Sequence, residues 1–263
     1  MRIKANNIRI NYELSGEKGA PVVGLSHSLS SSHHMWDPQM DALNPHFQVL
    51  RYDIRGHGGS DATPGSYTLE LLAEDVIGLL DALDIDRMHF VGMSVGGMIG
   101  QSLALNHANR LKSLVLCDTA AVVPAEAQPL WEERFDKARK KGMEALVEET
   151  MERWFTPVFL KQNPPMVRLI RKQIIATPVV GYFGCGEAIR SLNYLDRLSE
   201  IKLPTLILVG EDDPGTPVSA SQAIHERIAG SKLVILPSAR HLSNVEQAEA
   251  FNTALLAFLK NQR

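Results

Sequence analysis

Cysteine is scarce in this sequence: Cys117 and Cys185 are the only two in 263 residues, too few for a disulfide framework or a four-thiolate zinc site. Both are expected to be reduced and buried. Charge of one sign is also missing, because 27 Lys and Arg stand against 30 Asp and Glu for a formal charge of −3. That balance excludes the basic footprint of a nucleic-acid or anionic-membrane binder. No long apolar run occurs. The longest stretch without Asp, Glu, Lys or Arg, Met88 to Asn109, is broken by His89, Ser94, Gln101, Asn106 and four glycines, so no membrane span is expected. Met1 to Asn7 carries no apolar signal-peptide core, and a cytoplasmic protein is the expectation. His33-His34 has neither a helical i, i+4 partner nor a Cys pair, and His-Glu-x-x-His is absent; no metal and no cofactor are expected.

What is present is the composition of a globular chain, 44% hydrophobic and 22% charged, able to bury a sizeable core. A length of 263 residues suits one α/β domain with an insertion, since such domains run to about 250 residues. Short β-rich runs recur at Ile8 to Leu14, Val22 to Leu25, Phe47 to Tyr52, His89 to Gly92, Leu114 to Cys117, Leu206 to Val209 and Leu233 to Leu236. Most are continuously apolar, as strands covered on both faces are, and helical patterns such as Leu69 to Leu83 lie between them. A mostly parallel sheet with crossover helices follows. Between about Pro124 and Asp196 charged helical segments replace this rhythm. The expected organisation is a core of residues 1–123 and 197–263, with a helical lid, 124–196, inserted over the carboxyl edge of the sheet.

The stretch Met88 to Gln101 runs from an apolar strand through Gly92-Met93-Ser94-Val95-Gly96 into a helical segment. A strand–turn–helix context is what the Gly-x-Ser-x-Gly nucleophile motif requires. The turn strains the serine backbone, and Gly92 and Gly96 remove side chains that would collide with the strand and helix. Ser94 then projects into a site where the Val95 N–H can meet an oxyanion. A dinucleotide turn fails on spacing, because Ser94 stands where its second glycine would be.

A serine hydroxyl needs a base and a group to orient that base. Gly210 to Pro217 is an acid-rich loop after one strand, and Pro237 to Leu242 holds His241 after the next. His241 is the expected base and Asp213 its orienting acid; Asp212, Glu211 and Asp118 compete for the second role. His107 and His225 lie in helical patterns and are read as solvent-facing. The second oxyanion donor should come from the loop after Val22 to Leu25, and it is assigned to the Leu29 N–H, with Ser28 one residue away as the alternative. Asp53 to Asp61 is read as a structural turn.

Together these residues resemble the α/β-hydrolase family across essentially the whole chain, with Ser94, Asp213 and His241 in that family's order. The resemblance is closest to 3-oxoadipate enol-lactonases of bacterial aromatic breakdown, through Met35 to Gln39, Tyr52 to Gly58, Gly92 to Gln101, Leu114 to Ala120, Arg153 to Pro157 and His241 to Glu246. Cys185 to Tyr194 departs from the pattern in lacking the acids that follow Ala-Ile-Arg in relatives. The resemblance implies an α/β-hydrolase fold with an eight-stranded sheet, no cofactor, and hydrolysis of an enol-lactone through an acyl-enzyme. A carboxylesterase or carbon–carbon bond hydrolase shares the triad and is the alternative; the intact triad argues against a ligand-binding protein without turnover. The expected partner is a small lactone or ester carrying a carboxylate, with no nucleic acid and no membrane. Arg134, three residues after Trp131 on a helical pattern, is the expected cation for that carboxylate, with Trp131, Trp154 and Met151 as pocket wall.

Overall fold

The computed structural model describes residues 1–262. Its eight strands form one sheet: β1 (Arg2–Ala5), β2 (Ile8–Gly16), β3 (Val22–Ser26), β4 (Gln48–Tyr52), β5 (Met88–Met93), β6 (Leu111–Cys117), β7 (Thr205–Gly210) and β8 (Lys232–Leu236). The spatial order is β1-β2-β4-β3-β5-β6-β7-β8. The first two strands are antiparallel additions at one edge; the other six run parallel. Continuous apolar sequence and double-sided burial coincide where expected, since every residue of β5 and β7 is buried and helices cover both faces. The strand that the β-rich runs did not announce is β1, whose Arg-Ile-Lys-Ala is short and half exposed.

Helices α1 (Asp37–Leu43), α2 (Leu69–Ala82) and α3 (Val95–Asn106) make the crossovers of the first half. The α2 helix shows why the sequence is helical here. The Thr68 hydroxyl accepts from the Leu71 N–H at 3.1 Å as an N-cap, and Leu69, Leu72, Val76, Leu79 and Leu80 form the stripe buried on the sheet.

Between β6 and β7 lie five helices, α4 (Gln128–Lys141), α5 (Val147–Trp154), α6 (Pro157–Gln162), α7 (Pro165–Ala176) and α8 (Val179–Arg190). Phe135 of α4 packs on Tyr182 and Phe183 of α8 with ring centroids 5.9 and 4.7 Å apart. The two ends of this insertion meet in an antiparallel bridge between Val122 and Asn193, flanked by Val123 N–H to Leu192 C=O at 3.1 Å and Tyr194 N–H to Ala121 C=O at 2.7 Å. Afterwards α9 (Val218–Arg227), the short α10 (Ser243–Glu246) and α11 (Ala248–Lys260) complete the chain. The parallel strands thus carry their carboxyl-end loops to one edge, where the insertion covers them. Among the described residues, no helix is long and apolar enough to cross a membrane.

Candidate active site

Strand β5 delivers Ser94 in a backbone conformation of φ 56° and ψ −117°, a left-handed-side φ that a residue with a Cβ tolerates at about 1–3 kcal/mol and only when its surroundings hold it there. They do. The Ser94 N–H donates to the Cys117 C=O at 2.9 Å, and the Thr119 hydroxyl donates to the Ser94 C=O at 2.8 Å. The flanking glycines are required sterically: a Cβ on Gly92 would lie 2.2 Å from the Gly96 carbonyl oxygen, and one on Gly96 2.4 Å from that of Ser26. Val95 is the first residue of α3, so its N–H belongs to the turn of donors with no partner inside the helix.

The loops after β7 and β8 lie side by side. The His241 Nδ1 is 2.8 Å from the Asp213 Oδ2, and with a carboxylate opposite it this nitrogen carries the proton, leaving Nε2 as the basic atom. The same Oδ2 accepts the Thr216 hydroxyl at 2.6 Å, while Oδ1 accepts the Gly215 N–H at 2.8 Å and the Thr216 N–H at 3.2 Å. Burial alone pushes the Asp213 carboxyl up, but the neighbouring His241 and these donors hold it below the usual carboxylate range. Of the competing acids, Glu211 and Asp212 are exposed. Asp118 is fully buried and accepts from the Gly210 N–H and the Ser243 hydroxyl; burial and the charge of Asp213 push it well up. His107 is engaged by Glu74 and His225 by Ser231, each at 2.8 Å.

Ser94, Asp213 and His241 share the wall of one cavity of about 340 Å³ with Leu29 and Ser28. Trp131, Arg134 and Trp154 lie on the same wall, and Trp154 stacks on the His241 ring at 6.2 Å between centroids. Met151 does not: it is fully buried among core side chains, although it lies only three residues before Trp154 on α5.

Two charged lid-side residues escaped the sequence reading. Arg153 also lines the cavity, and Glu149 lies between the two arginines, 3.5 Å from Arg134 Nε and 4.0 Å from Arg153 Nη1, with Lys137 at 3.2 Å. Glu149 and Arg153 are four apart on α5, a spacing visible in the sequence; the approach of Arg134 from α4 is not. The Arg134 guanidinium lies over the Trp131 ring at 5.4 Å.

Asp53 to Asp61 is held as a structural turn. Asp53 accepts from the backbone and ring of His33, from Asn11 and from the Gly59 N–H, each at 2.8 Å; burial opposes its charge, yet these donors keep it far below the usual carboxylate range. Arg55 is paired with Asp75. Among the described residues, no group of three His, Cys, Asp or Glu side chains is arranged to hold a metal ion.

The chain as a whole has counterparts among known proteins. The family model of the alpha/beta hydrolase fold matches residues 21–248. The chain belongs to the α/β-hydrolase family. Its similarity extends to 3-oxoadipate enol-lactonase 2 of Acinetobacter baylyi, 35% identical over 98% of this chain and 96% of that protein. A solved enol-lactonase from Burkholderia xenovorans LB400 is 38% identical and superimposes with a TM-score of 0.95, covering 99% of this chain and 100% of the other. A putative carbamate hydrolase, RutD, of Yersinia enterocolitica is 32% identical over 94% of this chain and 91% of its own length. As a member of this family with hydrolase relatives along its whole length, the protein is a hydrolase.

Proposed function

We propose that the protein hydrolyses a small anionic enol-lactone of the 3-oxoadipate type, through a Ser94 acyl-enzyme. The observation that carries this reading is the charge on the cavity wall. Arg134 and Arg153 both face the cavity, and Glu149 alone stands between them. Glu149 is shared by these two guanidinium groups and by Lys137, so the cluster keeps a net positive charge, the complement of a substrate with a carboxylate.

In the proposed reaction Ser94 Oγ attacks the ring carbonyl as His241 Nε2 takes its proton, and Asp213 stabilises the imidazolium. The Leu29 and Val95 N–H groups receive the developing oxyanion. The ring C–O bond breaks; the enol oxygen leaves, accepts the proton from His241 and tautomerises to a ketone. Water, deprotonated by His241, then hydrolyses the acyl-enzyme, releasing the second carboxylate and restoring Ser94. Residues 124–196 act as the lid that excludes bulk water from these steps.

The test is the loss of ultraviolet absorbance of 3-oxoadipate enol-lactone, beside a neutral p-nitrophenyl ester and a carbamate, for the wild type and Ser94→Ala. The expected result is Ser94-dependent lactone opening that exceeds the other turnovers by orders of magnitude. Efficient ester or carbamate cleavage with little lactone opening would overturn the substrate and keep the serine chemistry.

A further inference from the structure

The turn that bears Leu29 is held from behind by two buried histidines that take no part in the proposed proton transfers. His27 Nδ1 is 2.7 Å from the Ser28 carbonyl oxygen, and its Nε2 accepts the Ile54 N–H at 2.9 Å. A ring nitrogen that accepts an amide N–H is unprotonated, so the proton sits on Nδ1 and is donated to the Ser28 C=O. On the other side, His57 Nε2 accepts the Ser30 N–H at 2.9 Å. Ser30 has φ 58°, and the Ser31 N–H closes the turn onto the Ser28 C=O at 3.3 Å. Both rings are wholly buried.

The Ser28 carbonyl and the Leu29 N–H are the two ends of a single peptide group. No peptide bond among the described residues is cis, and across a trans peptide C=O and N–H point in opposite directions. A donor fixed on the carbonyl therefore fixes the direction of the amide. We propose that His27 is a positioning residue: its Nδ1–H locks the Ser28–Leu29 peptide so that the Leu29 N–H faces the cavity before substrate arrives, and His57 pins the next amide so that the peptide cannot turn over. A hydrogen bond on the carbonyl also polarises the amide and makes its N–H a stronger donor. The side chain thus acts on the oxyanion without touching it. This rests on the reading of Leu29 as an oxyanion donor, and it applies to esters and lactones alike.

The experiment uses the full chain, a neutral ester and a boronic acid that forms a tetrahedral adduct on Ser94. In wild type labelled with ¹⁵N at histidine, the His27 Nδ1–H proton resonance is followed with and without phenylboronic acid. An oxyanion on the Leu29 N–H loads negative charge onto the Ser28 oxygen, so the resonance moves downfield. A resonance that stays put while the boronate inhibits would overturn the proposal. His27→Phe removes the donor and His27→Asn keeps an amide donor at a similar place. With p-nitrophenyl acetate the Phe variant loses roughly 10–10²-fold in kcat, somewhat less than deletion of a whole oxyanion donor, with KM within about threefold, and the Asn variant recovers most of the loss. A folded Phe variant with kcat within about twofold of wild type, or an Asn variant as impaired as the Phe one, would also overturn it. Should the Phe variant not fold, the wild-type resonance decides. Absence of lactone opening would remove the proposed substrate and leave these results standing, because the probe ester is neutral.

Discussion

Glu246 and Thr156 join the loop of the candidate base to the helices above it. One Glu246 oxygen accepts both the N–H of Thr156, at 3.0 Å, and its hydroxyl, while the other accepts the Arg240 N–H at 3.0 Å. The Leu242 N–H adds a bond to the Trp154 C=O at 3.2 Å. The wall formed by α5 and the His241 loop is therefore one mechanical unit, and any opening of the insertion must bend elsewhere.

That coupling predicts the behaviour of Glu246→Gln. The amide supplies one acceptor oxygen where the carboxylate has two, so either Thr156 or Arg240 loses its partner, at about 1–3 kcal/mol. We expect a lower denaturation midpoint and a drop in kcat of roughly tenfold, with Thr156→Val adding little on top. Fully additive losses in the double-mutant cycle would contradict a shared strut.

The arginine pair predicts selectivity rather than general damage. Arg134→Ala and Arg153→Ala should each lower kcat/KM for an anionic lactone by about 10–10²-fold, the worth of a charge-assisted hydrogen bond, and leave a neutral ester within about threefold. Equal losses on both substrates would remove the anion site. Glu149→Gln should tighten anion binding, read as a lower KM, because it strips the arginines of the one carboxylate that they share among the described residues.

Much of this site was legible locally and some of it was not. The Ser94 turn can be read because its constraints lie within five residues: an apolar strand, two glycines where a Cβ would strike backbone, and a helix. Asp213 and His241 follow from loop placement at strand ends. Arg134 and Trp131 share a helix face, so their pairing also follows from spacing. Glu149, the strut at Glu246 and the hydrogen bonds of His27 depend on approaches between distant segments, and no periodicity encodes those. Met151 was misplaced because it and Trp154 are neighbours on α5, and spacing does not reveal which of two adjacent side chains reaches the cavity and which is buried beside it. Strand β1 escaped because edge pairing holds it, not an apolar run.

Thr216 predicts a graded effect on the acid. Its hydroxyl and N–H both serve Asp213. Thr216→Val keeps the N–H and the volume and removes one bond to Oδ2, so we expect a roughly tenfold fall in kcat against about 10³–10⁴-fold for Asp213→Asn, which reverses the imidazole tautomer. A Val variant as damaged as Asp213→Asn would assign Thr216 a larger role than positioning.

The buried histidines predict acid sensitivity. Burial lowers His27 to about 4 and His57 to about 3, whereas an unfolded histidine titrates near 6.5. Between those values the unfolded chain binds protons that the folded chain refuses, so stability is full above about pH 6.5 and declines as pH falls towards 4. For His27 alone the decline is roughly 3 kcal/mol. Urea midpoints at pH 7, 5.5 and 4.5 should fall in that order, and His27→Asn should flatten the trend. Identical midpoints from pH 7 to 4.5 would exclude neutral buried rings.

The bridge between Val122 and Asn193 gives the helical insertion a common neck. Its entry and exit segments are hydrogen-bonded neighbours, so the chain leaves β6 and returns towards β7 side by side. The insertion is also tied to the core through Thr156 to Glu246, Trp154 to Leu242 and Gln173 to Ser31, so a change in α5 to α7 reaches the His241 loop and the turn of Leu29 as well as the cavity wall.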